Sequence, residues 1–405
     1  MTAEGYERDR SAHSGKGVAM AEAGTYKRSL GLVELVSLGV GGTVGSGIFV
    51  VPGVAAKLIG PYSLIAWIIV ALSASCVLLS LSFVAYRFTS SSGFYALFES
   101  VFGNRIAFPL MIFYTISSVF GVSTIAAGIG QYLGFFDLAP VLLIEIALLF
   151  GFCALNIAGI VFSGITETIL TALKIIPLVL IALLLLPFVR SENFVPSAPL
   201  TAGGLLATII IVYWPFTGFE ISAIPVEETK DPSLIRRSLI LVMLMVVSLY
   251  LLLNIALIGS VGAASLAASP APIAMASGII FTHAGTLVAF IGILAMLSAM
   301  NAYIVGTSRV IHTMSVRFSV PVMKDLTRQG TPAVALVLGC AASGLLLLVS
   351  NRFELLATIS VITTLIPYIF FCIAAWILVA EPKVRLIAAG GVLSTTAILV
   401  MYFLL

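Results

Sequence analysis

The stretch GVGGTVGSGIFVVPG, residues 39–53, places six glycines among fifteen residues, inside an apolar block that runs from Leu32 to Gly53. A block of that length crosses a bilayer as a helix, yet each glycine in a helix interior costs roughly 0.5–1 kcal/mol relative to alanine. Glycines that serve close helix packing keep to one face. Here Gly41, Gly42, Gly45 and Gly47 point around the axis. The stretch reads as a helix that unwinds between residues 41 and 47.

Unwinding within a bilayer is costly unless the released backbone groups find partners. The amides of Gly45, Ser46 and Gly47 would open the second half-helix and suit a carboxylate. The carbonyls of Gly41, Gly42 and Thr43 would suit an ammonium or a cation. A zwitterion meets both needs, as in the discontinuous helices of secondary transporters. For Ser46 a plainer reading stands alongside, a hydroxyl bonded to its own helix backbone.

The rest of the chain places this block in a membrane. Of 405 residues, 60% are hydrophobic and only 9% are charged, against about a quarter charged in a soluble domain. Long apolar blocks recur at approximately 31–57, 62–85, 105–130, 138–156, 161–189, 203–225, 237–262, 284–312, 332–350, 354–379 and 384–404. The first block follows a polar leader and is too long for a signal-peptide core. The segment 260–285, with Pro270 and Pro272 among small residues, reads as a flat or re-entrant piece rather than a span.

With the N-terminus inside, sixteen of the twenty lysines and arginines fall in cytoplasmic segments; Lys57, Arg190 and Arg352 fall outside, and Lys174 falls within the fifth span. That bias fixes the expected orientation and puts the C-terminus outside. The net charge of +3 then reflects topology, with no nucleic-acid partner implied. Cys76, Cys153, Cys340 and Cys372 stand alone in apolar segments and read as packing residues, and the three histidines are scattered, so no metal or cofactor is expected. No nucleotide-binding loop appears, which argues against an ATP-driven pump.

A second interruption is expected in IIIVYWPFTGFEISAIPVEETKDP, residues 209–232. Pro215 removes an amide and blocks the preceding helical turn. Gly218 follows, with Trp214, Phe216 and Phe219 around it, Glu220 near mid-membrane and Pro225 before a polar loop. The two interruptions occupy corresponding places in consecutive sets of five spans, the arrangement an inverted repeat produces.

GGTVGSGIF followed by VPG, together with FTGFE and EETKDP, resembles the first- and sixth-helix motifs of the amino acid-polyamine-organocation superfamily. NIAGIVFSGITETILTALK (156–174) and SAMNAYIVGTSR (298–309), with Thr331–Pro332, are similar to its later motifs. The resemblance covers about residues 28–380 in consistent order. The loop RFTSSSGFYALFESVFG (87–103) departs from it, with Ser92-Gly93 where relatives carry paired glycines, and many relatives have a twelfth helix. That last difference puts in doubt any dimerisation through the final helix.

The resemblance implies an all-α integral membrane protein of about eleven helices in a five-plus-five inverted-repeat fold. The expected divisions are a tail at 1–30, a first repeat at 31–189, a second at 190–379 and an added helix at 380–405. It implies alternating-access transport of an amino acid across the cell membrane, as symporter, antiporter or uniporter, and no enzyme activity. Gly45, Ser46 and Gly47 would hold the substrate carboxylate, and the carbonyls of Thr43, Trp214 and Thr217 its ammonium. Trp214, Phe216 or Phe219 would lie over it as an aromatic lid, or pack in the core.

Glu220 matches a glutamate implicated in proton coupling or gating, with a structural hydrogen-bonding role as the alternative. Lys174 matches a lysine that replaces a sodium ion in sodium-independent relatives, contacting the first-helix break near Gly41 and Val44; otherwise its side chain snorkels to the interface. Ser298 and Asn301 would form an eighth-helix network, Ser298 as a neighbour of Lys174, or simply pack. Glu34 and Glu167 read as interfacial or inner-gate residues, and Glu145 has no assigned role.

The partners expected are therefore a small amino acid, protons and the lipid bilayer, with the oligomeric state open. The aromatic and aliphatic residues around Pro215 favour a neutral substrate with a small or apolar side chain. A polyamine or organic-amine exchanger and a non-transporting nutrient sensor are the alternatives. No repeated filter suggests a channel, and no nucleophile or metal cluster suggests a membrane enzyme.

Overall fold

The computed structural model describes residues 30–85, 93–159, 164–223, 229–231 and 233–404. The tail up to residue 29, part of the 87–103 loop, residues 160–163, Pro225 and the Glu227–Glu228 pair lie outside the described residues, as does the side chain of Glu167.

The bilayer leaves little choice of architecture, because backbone amides and carbonyls meet no water there and must find their partners within the protein. Each expected span is met by a helix or a broken pair. The first is α1 (Leu32–Thr43) and α2 (Ser46–Ile59), followed by α3 (Ser63–Val84). After α4 (Gly93–Phe102) come α5 (Asn104–Gly134), α6 (Val141–Ile157) and α7 (Gly164–Leu185). The sixth span is α8 (Ala202–Tyr213) with the 3-10 turns Trp214–Phe216 and Phe219–Ala223. It is followed by α9 (Ser233–Val261), the short α10 (Ala263–Ala268) and α11 (Pro272–Ser277), and the long α12 (Ala284–Arg317). The chain closes with α13 (Ala333–Val349), α14 (Phe353–Leu378) and α15 (Pro382–Leu404). Seven stretches are long and apolar enough to cross a membrane by length and composition, the first of them, Leu32–Val84, taking in two spans. The spans met by α6, α8 and α13 are shorter apolar helices.

Two features of the interspan segments follow from local sequence. The 260–285 piece forms α10 and α11 rather than a span, and it closes over α2: a Cβ on Gly53 would lie 3.0 Å from the Leu266 carbonyl oxygen. The segment read as a loop after the second span contains a helix, α4. Its Tyr95, Leu97 and Phe98 are buried, with Phe98 stacked on Phe371 at 4.9 Å, while Glu99 pairs with Arg317 at the end of α12. Apolar residues at helical spacing there outweigh the loop signals of the preceding serines.

The two broken spans lie together at the centre. α9 and α7 pack against α1; α5 packs against both α12 and α14; α3, α14 and α15 form a further layer. α7 shows how sequence places residues here. Leu173, Ile176, Leu180 and Leu183 form an exposed stripe, and Thr171, Lys174, Leu178, Ala182 and Leu185 a buried one. Lys174 is 1% exposed, so it does not snorkel; it points into the bundle.

The ends where α1 begins and the sixth span finishes are tied together. Leu30 and Thr229 form a parallel bridge, and the Lys230 amide donates to the Leu30 carbonyl at 3.0 Å. Glu34 sits at this end, its carboxylate accepting the Gly31 amide at 2.9 Å. The exposed Asp231 accepts both the amide and the hydroxyl of Ser233, which hold its carboxyl below the usual carboxylate range. The cysteines are alone in sequence but not all in space: the Cys153 and Cys340 thiols meet between α6 and α13.

Candidate binding site

The first break has the geometry that its glycines allow. α1 stops at Thr43, Val44 still bonds back to Val40, and the Gly45 amide turns to the Thr43 carbonyl at 3.1 Å. The Gly41 carbonyl thereby loses the amide four residues on, its ordinary helical partner. Lys174 takes that place, its Nζ donating to the Gly41 oxygen at 2.7 Å. On the other side of the break, α2 starts at Ser46, whose amide, with those of Gly47 and Ile48, has no acceptor within the helix. The N-cap residue, Gly45, has no side chain to cap them, so the amides are presented together at a helix N-terminus, where negative charge is favoured.

The second break begins in the same way. Thr201 caps α8 by accepting the Gly204 amide at 3.1 Å. The helix ends at Tyr213 because Pro215 cannot donate. The chain then turns through Gly218 at φ +91°, a conformation open to glycine at no steric cost. A Cβ there would come within 2.8 Å of the Gly42 carbonyl oxygen. A Cβ on Gly47 would come within 2.6 Å of the Pro215 Cα. The two breaks are thus in backbone contact, each through a glycine. Tyr250 of α9 joins them, its hydroxyl 3.1 Å from the carbonyl oxygens of both Thr43 and Pro215.

Of the expected residues, Thr43, Gly45, Ser46, Gly47, Trp214 and Thr217 meet at this joint. The Trp214 indole N–H donates to the Ser46 hydroxyl at 3.2 Å, which places the ring over the α2 N-terminus. The Trp214 carbonyl accepts both the amide and the hydroxyl of Thr217, at 3.0 and 2.8 Å. Its two lone pairs are therefore in use, as are those of the Thr43 carbonyl, which accepts the Gly45 amide and the Tyr250 hydroxyl, leaving the carbonyls of Gly42 and Thr217 better placed to receive a cation. Phe216 packs on Trp67 and Tyr250, and Phe219 on Tyr368. Both are buried among other rings.

Glu220 stands just beyond the second break, 4% exposed. Tyr114 of α5 donates to one carboxyl oxygen at 2.9 Å and Tyr368 of α14 to the other at 2.8 Å. A carboxylate accepts both bonds. A carboxylic acid must donate from one oxygen, so gain of a proton rearranges the contact with one of the two helices.

Ser298 and Asn301 share no hydrogen bond. Asn301 accepts from the Asn156 side-chain amide at 2.7 Å. The Ser298 hydroxyl has no hydrogen-bond partner among the described residues, so Lys174 does not bond to it, although the next residue, Ala299, sits against Gly45. Glu145 lies near the far end of α6 beside Gly130, away from both breaks.

Four tyrosines that hold the site together were not singled out from sequence: Tyr114, Tyr250, Tyr303 and Tyr368. The signal was a phenol set in an otherwise apolar span, which needs a partner for its hydroxyl once buried.

A cavity of about 30 Å³ opens beside Thr217, Gly218 and Glu220, between α5, α12 and α14, enough to hold ordered water.

The sequence pattern described as amino acid permease matches residues 30–405. The chain is 26% identical over 338 residues to the branched-chain amino acid permease BcaP of Bacillus subtilis, covering 76% of this chain and 72% of that one. It is 24% identical over 378 residues to the serine/threonine exchanger SteT of the same organism, covering 88% and 84%. Among solved structures, MhsT in complex with L-phenylalanine is similar with a TM-score of 0.72 at 15% identity, covering 94% of this chain and 99% of that chain. That likeness carries the fold, the five-plus-five inverted-repeat arrangement expected from the sequence.

Proposed function

This chain belongs to the amino acid permease family, and from that premise we propose that it carries a neutral amino acid across the cell membrane by alternating access, sodium-independently and coupled to protons. The observation that carries the reading is the contact of the two breaks through Gly47 and Pro215, with unpaired amides on one side and carbonyls on the other. The α-carboxylate is held by the amides at Ser46 and Gly47 and by the Ser46 hydroxyl, with the Gly45 amide joining them when it leaves the Thr43 carbonyl. The α-ammonium is held by carbonyls at Gly42 and Thr217, and by that of Thr43 once the Gly45 amide has left it. Trp214 covers the carboxylate end and gives up or shares its bond to Ser46 when substrate enters.

The ends tied by Leu30 and Thr229 face the cytoplasm in this reading, as the excess of lysine and arginine requires. The α1 half and the Phe219–Ala223 turn then move together as the inner gate. Glu220 couples that gate to protons, because its protonation changes its bonds to Tyr114 and Tyr368. Tyr303, whose hydroxyl lies 3.3 Å from that of Thr217, also faces this cavity.

The test is uptake of each proteinogenic amino acid, and of common amines, into proteoliposomes with proton and sodium gradients imposed separately. Uptake of a neutral amino acid is expected, raised by an inward proton gradient and unchanged when choline replaces sodium. A sodium requirement that lithium and potassium do not meet removes sodium independence. Uptake of amines alone would make the protein an organic-amine exchanger.

Glu220→Gln is expected to flatten the pH dependence of uptake while the protein remains monodisperse. Glutamine keeps the shape and accepts from one tyrosine, but it cannot exchange a proton. A pH profile unchanged from that of the unsubstituted protein would assign Glu220 a purely structural role.

A further inference from the structure

The cavity beside the second break is the part of this site whose chemistry is least expected from sequence. The aromatic and aliphatic residues around Pro215 suggest a small or apolar substrate side chain. Yet Phe216 and Phe219 turn away into ring contacts with Trp67, Tyr250 and Tyr368. Hydroxyl-bearing residues stand around the cavity instead, Ser117, Thr217, Tyr303, Thr307, Ser360 and Thr364 among them.

Most of these hydroxyls are already bonded. Ser117 pairs with Thr364, Ser360 donates to the Ser117 carbonyl at 2.9 Å, and Thr217 donates to Trp214. Thr307 is different. It is 2% exposed, and its hydroxyl has no partner among the described residues. Its methyl carbon faces α13, where a Cβ on Gly339 would lie 3.3 Å away, so the hydroxyl is turned from that helix. An unpartnered buried hydroxyl costs free energy unless something in the cavity bonds to it.

Resting on the transport reading above, we infer that this cavity receives the substrate's side chain and selects a small amino acid bearing a hydroxyl. A substrate anchored by its carboxylate at Ser46 and its ammonium at Thr217 directs its side chain past Gly218 toward Tyr303 and Thr307. A cavity of this size suits a hydroxymethyl or hydroxyethyl group. The hydroxyl of the substrate bonds to that of Thr307, which turns toward the cavity to meet it, since it has almost no exposed surface as it stands. An isosteric methyl leaves Thr307 without a partner, and sites of this kind reject the analogue that lacks the bond.

The experiment compares isosteres by competition against a radiolabelled amino acid on the purified, lipid-reconstituted protein. Threonine is expected to bind about tenfold or more tightly than valine, and serine more tightly than alanine. In Thr307→Val the threonine-to-valine ratio is expected to fall to within about threefold. Valine binding as tightly as threonine, or leucine more tightly, overturns the inference and leaves transport of an apolar amino acid standing. Lysine binding more tightly than threonine also overturns it, assigning the cavity to the Glu220 carboxylate. Binding of no amino acid overturns the transport reading and this inference together. The comparison in the unsubstituted protein decides the matter even if the variant fails to fold.

Discussion

Gly47→Ala is expected to lower uptake by about a hundredfold or more while leaving a folded, monodisperse protein. The added Cβ would lie 2.6 Å from the Cα of Pro215 and 2.9 Å from its Cβ and Cγ. These atoms belong to a rigid ring and its backbone, so no side chain can rotate away. The two breaks must separate by about an ångström to restore ordinary contact, and misplacement on that scale costs about two orders of magnitude where geometry carries function. The separation also moves the α2 amides relative to the carbonyls, so both ends of a bound zwitterion lose their spacing. Gly203→Ala, near the start of the same sixth span, is the control, since a Cβ there meets nothing within 4 Å. It is expected to keep full uptake. Uptake by Gly47→Ala within about threefold of the unsubstituted protein would mean that the breaks do not work as one joint.

This prediction also marks how far the sequence could be read. The glycines at 41–47 and the Pro215–Gly218 pair are local signals, because their effect on a helix does not depend on what lies beside it. The spans, their breaks and the non-spanning 260–285 piece were legible for that reason. What was not legible is set by contacts across long separations. Tyr250 looks like one more aromatic residue in α9 until its hydroxyl is seen between Thr43 and Pro215. Phe216 and Phe219 looked like lid residues because they flank the break, but the turn through Gly218 aims them at Trp67, Tyr250 and Tyr368. Ser298 lies one residue from Ala299 at the first break, yet its hydroxyl has no hydrogen-bond partner among the described residues, which residue type alone does not reveal. The hydroxyl-bearing residues around the cavity come from three helices, α5, α12 and α14, none of which announces it alone.

Lys174 is the case in which sequence and structure together make the strongest claim. Lys174→Met is expected to reduce uptake by roughly ten- to hundredfold and to lower thermal stability. Methionine keeps the length and apolar stem of the side chain, so the buried stripe of α7 stays packed. The change lies at the ammonium, which donates to the Gly41 carbonyl at 2.7 Å. That carbonyl gave up its helical partner when the Gly45 amide turned to Thr43. Without Lys174 it loses that donor, and a buried acceptor left unpaired costs about 1–3 kcal/mol. The end of α1 can relieve that cost by rewinding toward Gly45, which closes the break, or by fraying, which displaces Gly42 and Thr43. Either response removes carbonyls from the ammonium end of the site, so the loss is expected in substrate affinity as well as in stability. The same geometry explains why no sodium dependence is expected: a fixed ammonium already supplies the positive charge that these carbonyls would otherwise gather around. Uptake by Lys174→Met within about threefold of the unsubstituted protein, with an unchanged melting temperature, would show that the broken helix holds its shape without the lysine. A stable protein that loses substrate binding would instead place the whole effect at the site.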